Sequence, residues 1–107
     1  MQPATIANLA KIIKSIGNPI RLKILCLLAD EGLSVSQIHE RLATSYANVS
    51  QHLQRLQHQG LVATEKKANF VHYSIAAPGL RELILVLRRL YCAEIGETPP
   101  PPAITPK

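Results

Sequence analysis

Apolar residues at Ile6, Leu9, Ile12, Ile13 and Ile16 recur at helical spacing and predict a first helix opened near Pro3. Gly17, Asn18 and Pro19 stop it and start the next, since Asn18 suits an N-cap and Pro19 the first helical position. The second helix carries Ile20, Ile24, Leu25, Leu27 and Leu28 and is expected to reach about Asp30, before Glu31 and Gly32 break it. Ser34 caps a short third helix holding Val35, Ile38 and Leu42. Ser45 caps a fourth, with Val49, Leu53 and Leu56 at i, i+4 and i+7, and Gly60 ends it. The period then shortens. Leu61 to Lys66 and Phe70 to Ile75 read as two strands joined through Lys67, Ala68 and Asn69, a β-hairpin. Pro78 opens a last helix from Leu80 to about Ile95. From Gly96 the chain is proline-rich and is expected to be disordered. The order predicts a mainly α fold with a β-hairpin wing, a winged helix-turn-helix. One domain, 1–95, precedes a tail, 96–107.

Length and charge narrow the partners. With 107 residues the chain has room for one modest core, of a size often completed by a second subunit. In the last helix Leu83 to Leu87 are continuously apolar, so more than one face needs burial. Together with Ile6, Leu9 and Ile13 this predicts a homodimer through the first and last helices. A net charge of +5 favours a polyanionic partner, nucleic acid before membrane. No stretch approaches a membrane span, and Lys11 and Lys14 rule out a signal peptide core, so a cytoplasmic protein with reduced cysteines is expected.

Residues 34–58 pair a short helix with a longer one across a tight polar connection. Outside its apolar stripe the longer helix carries no acid and is crowded with amides, hydroxyls and bases: Tyr46, Asn48, Ser50, Gln51, His52, Gln54, Arg55, Gln57 and His58. Asn and Gln can bond two edges of adenine, Arg two of guanine, and Ser and Tyr reach phosphates. With the helix-capping Ser45, these residues (Ser45, Tyr46, Asn48, Ser50, Gln51, His52, Gln54 and Arg55) form the candidate DNA-reading set. Gln51, His52 and Arg55 are expected to read sequence. Lys66 and Lys67 at the hairpin end are candidate phosphate contacts, although a solvated lysine pair is the plainer reading of that loop.

The segments Gly17-Asn18-Pro19-Ile20-Arg21-Leu22-Lys23-Ile24-Leu25, Leu33-Ser34-Val35-Ser36-Gln37-Ile38, Val49-Ser50-Gln51-His52-Leu53-Gln54-Arg55-Leu56, Gly60-Leu61-Val62 and Tyr73-Ser74-Ile75 together resemble the ArsR/SmtB family. The resemblance covers about residues 5–95. It implies a homodimeric repressor of a double-stranded, palindromic operator, released by an inducer. One departure lies in the wing, where the family often has an acid-glycine-arginine turn and this chain has Lys67, Ala68 and Asn69. Asn69 can take the left-handed conformation such a turn needs.

Metal sensing is common in that family, yet the usual ligands are missing here. The positions of its thiolate site hold Ser34 and Ser36, and the last helix offers only Glu82 and Glu94 and no histidine. His39, His52, His58 and His72 never fall at i, i+4. No metal site and no cofactor are predicted, with a metal-responsive repressor using an atypical site as the alternative. A winged-helix module for protein or RNA contact is a further alternative. No phosphate loop, nucleophile elbow or carboxylate pair suggests an enzyme.

Cys26 and Cys92 are either small core side chains or reactive thiols. Lys23 lies three residues before Cys26, and Arg88 and Arg89 lie four and three before Cys92, spacings that put cations beside both thiols and favour the thiolate. The C-terminal end of the last helix opposes this at Cys92. The resemblance adds a role. A cysteine in Ile24-Leu25-Cys26-Leu27-Leu28 and another after Leu90-Tyr91 are similar to the dithiol-sensing branch of the family, the BigR, SqrR and HlyU type. That likeness implies that persulfides or oxidants link Cys26 to Cys92 within one subunit and so switch DNA binding.

Overall fold

The computed structural model describes residues 3–91. Its elements run α1 (Pro3–Ile16), α2 (Pro19–Leu28), β1 (Leu33–Ser34), α3 (Val35–His39), α4 (Tyr46–His58), β2 (Val62–Lys67), β3 (Phe70–Ile75) and α5 (Leu80–Tyr91). Cys92, the expected end of the last helix near Ile95 and the tail 96–107 lie outside the described residues.

Local chemistry sets most boundaries. Asn18 Oδ1 accepts from the backbone amides of Ile20 (2.9 Å) and Arg21 (3.1 Å), freeing Pro19 to open α2. Ser34 and Gln37 form a reciprocal capping box at α3, each side chain accepting from the other's backbone amide. At the end of α4 the amide of Gly60 donates to Gln57 O and that of Leu61 to Leu56 O, a Schellman closure that Gly60 permits with φ 78°.

Several boundaries differ from the sequence reading. The second helix stops at Leu28, with Ala29 as its C-cap, two residues short of Asp30. The third stops at His39 because the amides of Arg41 and Leu42 turn back to Ile38 O and His39 O in i→i+3 bonds, so Leu42 packs from a turn. A two-residue strand, β1, pairs with β3 through Leu33↔Tyr73 and Ser34↔His72. The sheet is thus three-stranded and antiparallel, in the order β1-β3-β2. Lys67 is the last residue of β2, opposite Phe70, so the wing turns on Ala68 and Asn69 alone. Ala68, not Asn69, takes the positive φ, at 55°.

The core gathers around α2, whose residues Ile24 to Leu28 are all buried. Val49, Leu53 and Leu56 of α4, Ile38 of α3, Leu33 of β1 and Ile84 of α5 close on it. Each of the α4 leucines is fully buried, and removing one to alanine costs about 2–5 kcal/mol. The helix that carries the candidate DNA face is therefore clamped along one stripe, and its other faces are free to project.

Candidate nucleic-acid interface and thiol site

On α4 the side chains of Gln51, Gln54 and Arg55 are exposed, and those of Asn48, Ser50 and His52 are half-buried. Asn48, Gln51, His52, Gln54, Arg55 and His58 share one concave surface with Asn18 and Arg21 of the α2 start, enclosing about 680 Å³. Among the described residues no acid lines it. Tyr46 is half exposed and meets His39 edge-on at 5.7 Å between ring centres.

Two of the expected reading groups are already engaged within the chain. Ser45 Oγ accepts from the Asn48 amide at 3.0 Å, so it caps α4 and keeps only its hydroxyl proton for a phosphate. The Asn48 side-chain amide donates to Thr44 Oγ1 at 2.8 Å, which ties it to the turn before the helix. Lys66 and Lys67 are exposed in β2 beside the wing turn, beyond the recognition helix.

Arg21 is the residue that sequence reasoning missed. Its Nε donates to Ser15 O at 2.6 Å, and its Nη1 lies 3.3 Å from His52 Nδ1. A guanidinium has only protons to give, so His52 Nδ1 must accept and the ring proton sits on Nε2. Burial, then the charges of Arg21 and Arg55, hold the His52 pKa below its ordinary value, so the ring is neutral at physiological pH. Burial and the nearby Arg55 likewise lower that of Arg21. A signal existed in the sequence: a cation in the first turn of a helix opposes the helix dipole and is placed there for some other contact.

Cys26 has no exposed surface. Arg88 of α5 reaches its backbone. Its Nη1 donates to Cys26 O at 3.1 Å, while both Nη groups grip Asp30 at 3.0 and 2.8 Å. The Asp30 bond is the chief reason the Arg88 pKa is raised. Arg88, whose expected neighbour Cys92 lies outside the described residues, reaches back to α2 and to the Asp30 carboxylate, which offers it a bidentate partner. Arg81 adds a second tie, donating from Nη1 to Ala29 O. The second and last helices therefore pack side by side, as a link between them requires. Among the described residues no three His, Cys, Asp or Glu side chains come together as a metal site.

A short helix and a longer one joined by a tight turn, with a basic amide-rich face and a hairpin after it, define a winged helix-turn-helix DNA-binding module. A family model described as "Bacterial regulatory protein, arsR family" matches residues 18–64. The chain is 41% identical over 86 residues to the transcriptional activator HlyU of Vibrio cholerae, covering 80% of each. It is 31% identical over 86 residues to the biofilm growth-associated repressor of Agrobacterium fabrum, covering 80% of this chain and 74% of that one. Among solved structures it is similar to reduced HlyU from Vibrio cholerae, with TM-score 0.78, 39% identity and coverage of 83% of this chain and 94% of that one. It is also similar to a homodimeric winged helix-turn-helix domain from Mycobacterium bovis, with TM-score 0.70, 28% identity and 79% of each chain covered. The chain belongs to the ArsR family of bacterial regulatory proteins; it is a DNA-binding regulator of transcription rather than an enzyme. No helix among the described residues is long and apolar enough to cross a membrane.

Proposed function

We propose that the protein is a homodimeric repressor whose hold on a palindromic operator is released when Cys26 and Cys92 are bridged within a subunit. The observation that carries this reading is the α2–α5 contact: Arg88, four residues before Cys92 in the sequence, already reaches the carbonyl of Cys26. A link between the two cysteines then closes over a contact that exists before any chemistry.

One thiolate attacks the terminal sulfur of a persulfide RSSH, taking that sulfur and releasing RSH once protonated. The other thiolate attacks the inner sulfur of the new protein persulfide, forming the disulfide and expelling hydrogen sulfide. Two protein thiols are oxidised and one sulfane sulfur is reduced. If the first cysteine takes up a second sulfane sulfur, the other thiolate attacks the middle sulfur of that chain and forms a trisulfide with loss of one hydrogen sulfide. Cys26, with no exposed surface, suits the resolving step, because a persulfide has no open path to it. No metal or organic cofactor takes part, and a peroxide could enter through a sulfenic acid on the same thiol.

Dimerisation rests on the exposed apolar side chains of α1 and α5. Ile6, Leu9 and Ile13 are 51%, 42% and 53% exposed, and Val86 and Leu90 are 37% and 43% exposed, a set large enough to call for a partner surface. The similar domain from Mycobacterium bovis is homodimeric, which supports a dimer here. Two α4 helices would then enter successive major grooves, with Lys66 and Lys67 on phosphates. The repressor reading agrees with the name of the Agrobacterium relative. Cytoplasmic action follows from the need for operator DNA and reduced thiols.

The test is operator binding and intact mass before and after a sulfane-sulfur donor. Wild type should gain a bridge, lose affinity and recover both with reductant. Cys26→Ser and Cys92→Ser should bind the operator and ignore the donor. A single-cysteine variant that is released normally, or a bridged wild type that binds as tightly as the reduced protein, refutes the switch.

A further inference from the structure

A second concave surface, about 870 Å³, lies between α1, the end of α4 and the β3–α5 connection. Its rim carries Lys11, Lys14, Arg21 and Arg55, and among the described residues no acid lines it. Arg21 and Arg55 also line the cavity along the recognition helix, so the two concavities form one basic track from α4 to α1.

The track is built rather than incidental. Arg21 is fixed by its Nε bond to Ser15 O. Ser15 is itself buried, and its Oγ donates to Gln59 Oε1 at 2.6 Å, which locks the end of α4 to α1. Arg21 and Arg55 line both concavities, so two like charges face the same space and favour an anion there. On α1, Lys11 lies roughly 170° around the helix from the exposed stripe Ile6, Leu9 and Ile13. Docking that stripe on a second subunit leaves Lys11 facing the track.

We infer that Lys11, Lys14 and Arg21 bind the DNA phosphate backbone beyond the bases that α4 reads, extending each subunit's footprint onto α1. The inference rests on the operator-binding reading above. Double-stranded DNA is the occupant because the track is continuous with the reading face through Arg55, presents cations spaced along two helices, and is open along its length. Phosphate contacts of this kind add affinity without sequence preference, and each releases counterions.

The experiment measures operator affinity of the full-length protein across a salt series, with phosphate-ethylation interference on the same duplex. Lys11→Ala/Lys14→Ala removes two exposed charges from a helix surface. The double variant should flatten the slope of log K against log salt by about 3.6 for the dimer, two contacts in each subunit, keep the wild-type base preference, and lose interference at the flanking phosphates. A double variant with the wild-type slope and interference pattern overturns the inference while leaving operator binding intact. A wild type that shows no salt-dependent preference for any palindrome overturns the operator reading itself, and the phosphate track with it.

Discussion

Ala68→Gly should make the wing more stable, although glycine weakens most positions. Ala68 is the first residue of the two-residue loop closed by Lys67 opposite Phe70, and it sits at φ 55°. It is the one non-glycine residue among those described with positive φ, a conformation that glycine adopts freely in two-residue hairpin loops. The left-handed conformation costs an L-residue about 1–2 kcal/mol, which glycine escapes. Against this, the added freedom of glycine in the unfolded chain costs about 0.4–1 kcal/mol. The balance is a gain of about 0.5–1 kcal/mol for the hairpin. Most of β2 is exposed, so the wing can open without unfolding the core, and amide hydrogen exchange is a better reporter than the melting temperature. The cross-strand amides of Lys66 to Val71 should exchange about 2–5 times more slowly, the factor that energy gives at 25 °C. Exchange as fast as wild type, or faster, would mean that Ala68 holds no left-handed strain.

His52 titrates with a definite sign. Its folded-state pKa lies below the ordinary value, so between the two the unfolded chain binds more protons; stability is full above about 6.5 and falls as the pH drops through the window below it. Thermal denaturation at stepped pH should show this loss, and His52→Gln should remove that contribution. Ser34→Ala breaks the capping box and should cost about 1 kcal/mol by urea denaturation, with no change in DNA sequence preference. Gly60→Ala forces a β-carbon into the left-handed closure of α4 and should cost about 1–2 kcal/mol, although nothing crowds the position. Leu9→Glu places a charge in the exposed apolar stripe of α1 and should halve the mass seen by light scattering; an unchanged mass would remove α1 from the dimer contact.

How much was legible in the sequence depended on the range of the chemistry. Asn18, Ser34, Ser45 and Gly60 announce helix ends because their partners lie two to four residues away, and the structure finds each in that role. The apolar stripe of α4 named its buried face because one helix period is enough to do so. Strand β1 was invisible, since two residues carry no alternation to read. The left-handed residue was assigned to Asn69 on propensity, and the pairing of Lys67 with Phe70 overrode it by moving the turn to Ala68. The Arg21–His52 contact joins residues 31 apart, and Arg88–Asp30 joins residues 58 apart; no local pattern predicts either.

Those two long-range contacts give α2 a particular position in the proposed switch. Near its end it holds Cys26 and the carbonyl gripped by Arg88; at its start it holds Arg21 against His52 of the recognition helix. The five-residue step from Arg21 to Cys26 spans about 7.5 Å of helix. Ile24 to Leu28 are buried without exception, and a close-packed segment moves as a body rather than compressing. A bridge drawn between Cys26 and Cys92 would therefore shift the Arg21 end together with the Cys26 end. What it shifts against is α4, where Arg21, His52 and Arg55 share one surface. An allosteric coupling of about 1–3 kcal/mol is enough for a 5- to 150-fold release, which is within what one misaligned cluster of base and phosphate contacts can lose. The wing tip lies farther along, since Lys66 and Lys67 pair only with Val71 and Phe70, at the end of the hairpin beyond the β1 pairing. Release in this scheme begins at the reading face and the groove beside it, not at the wing.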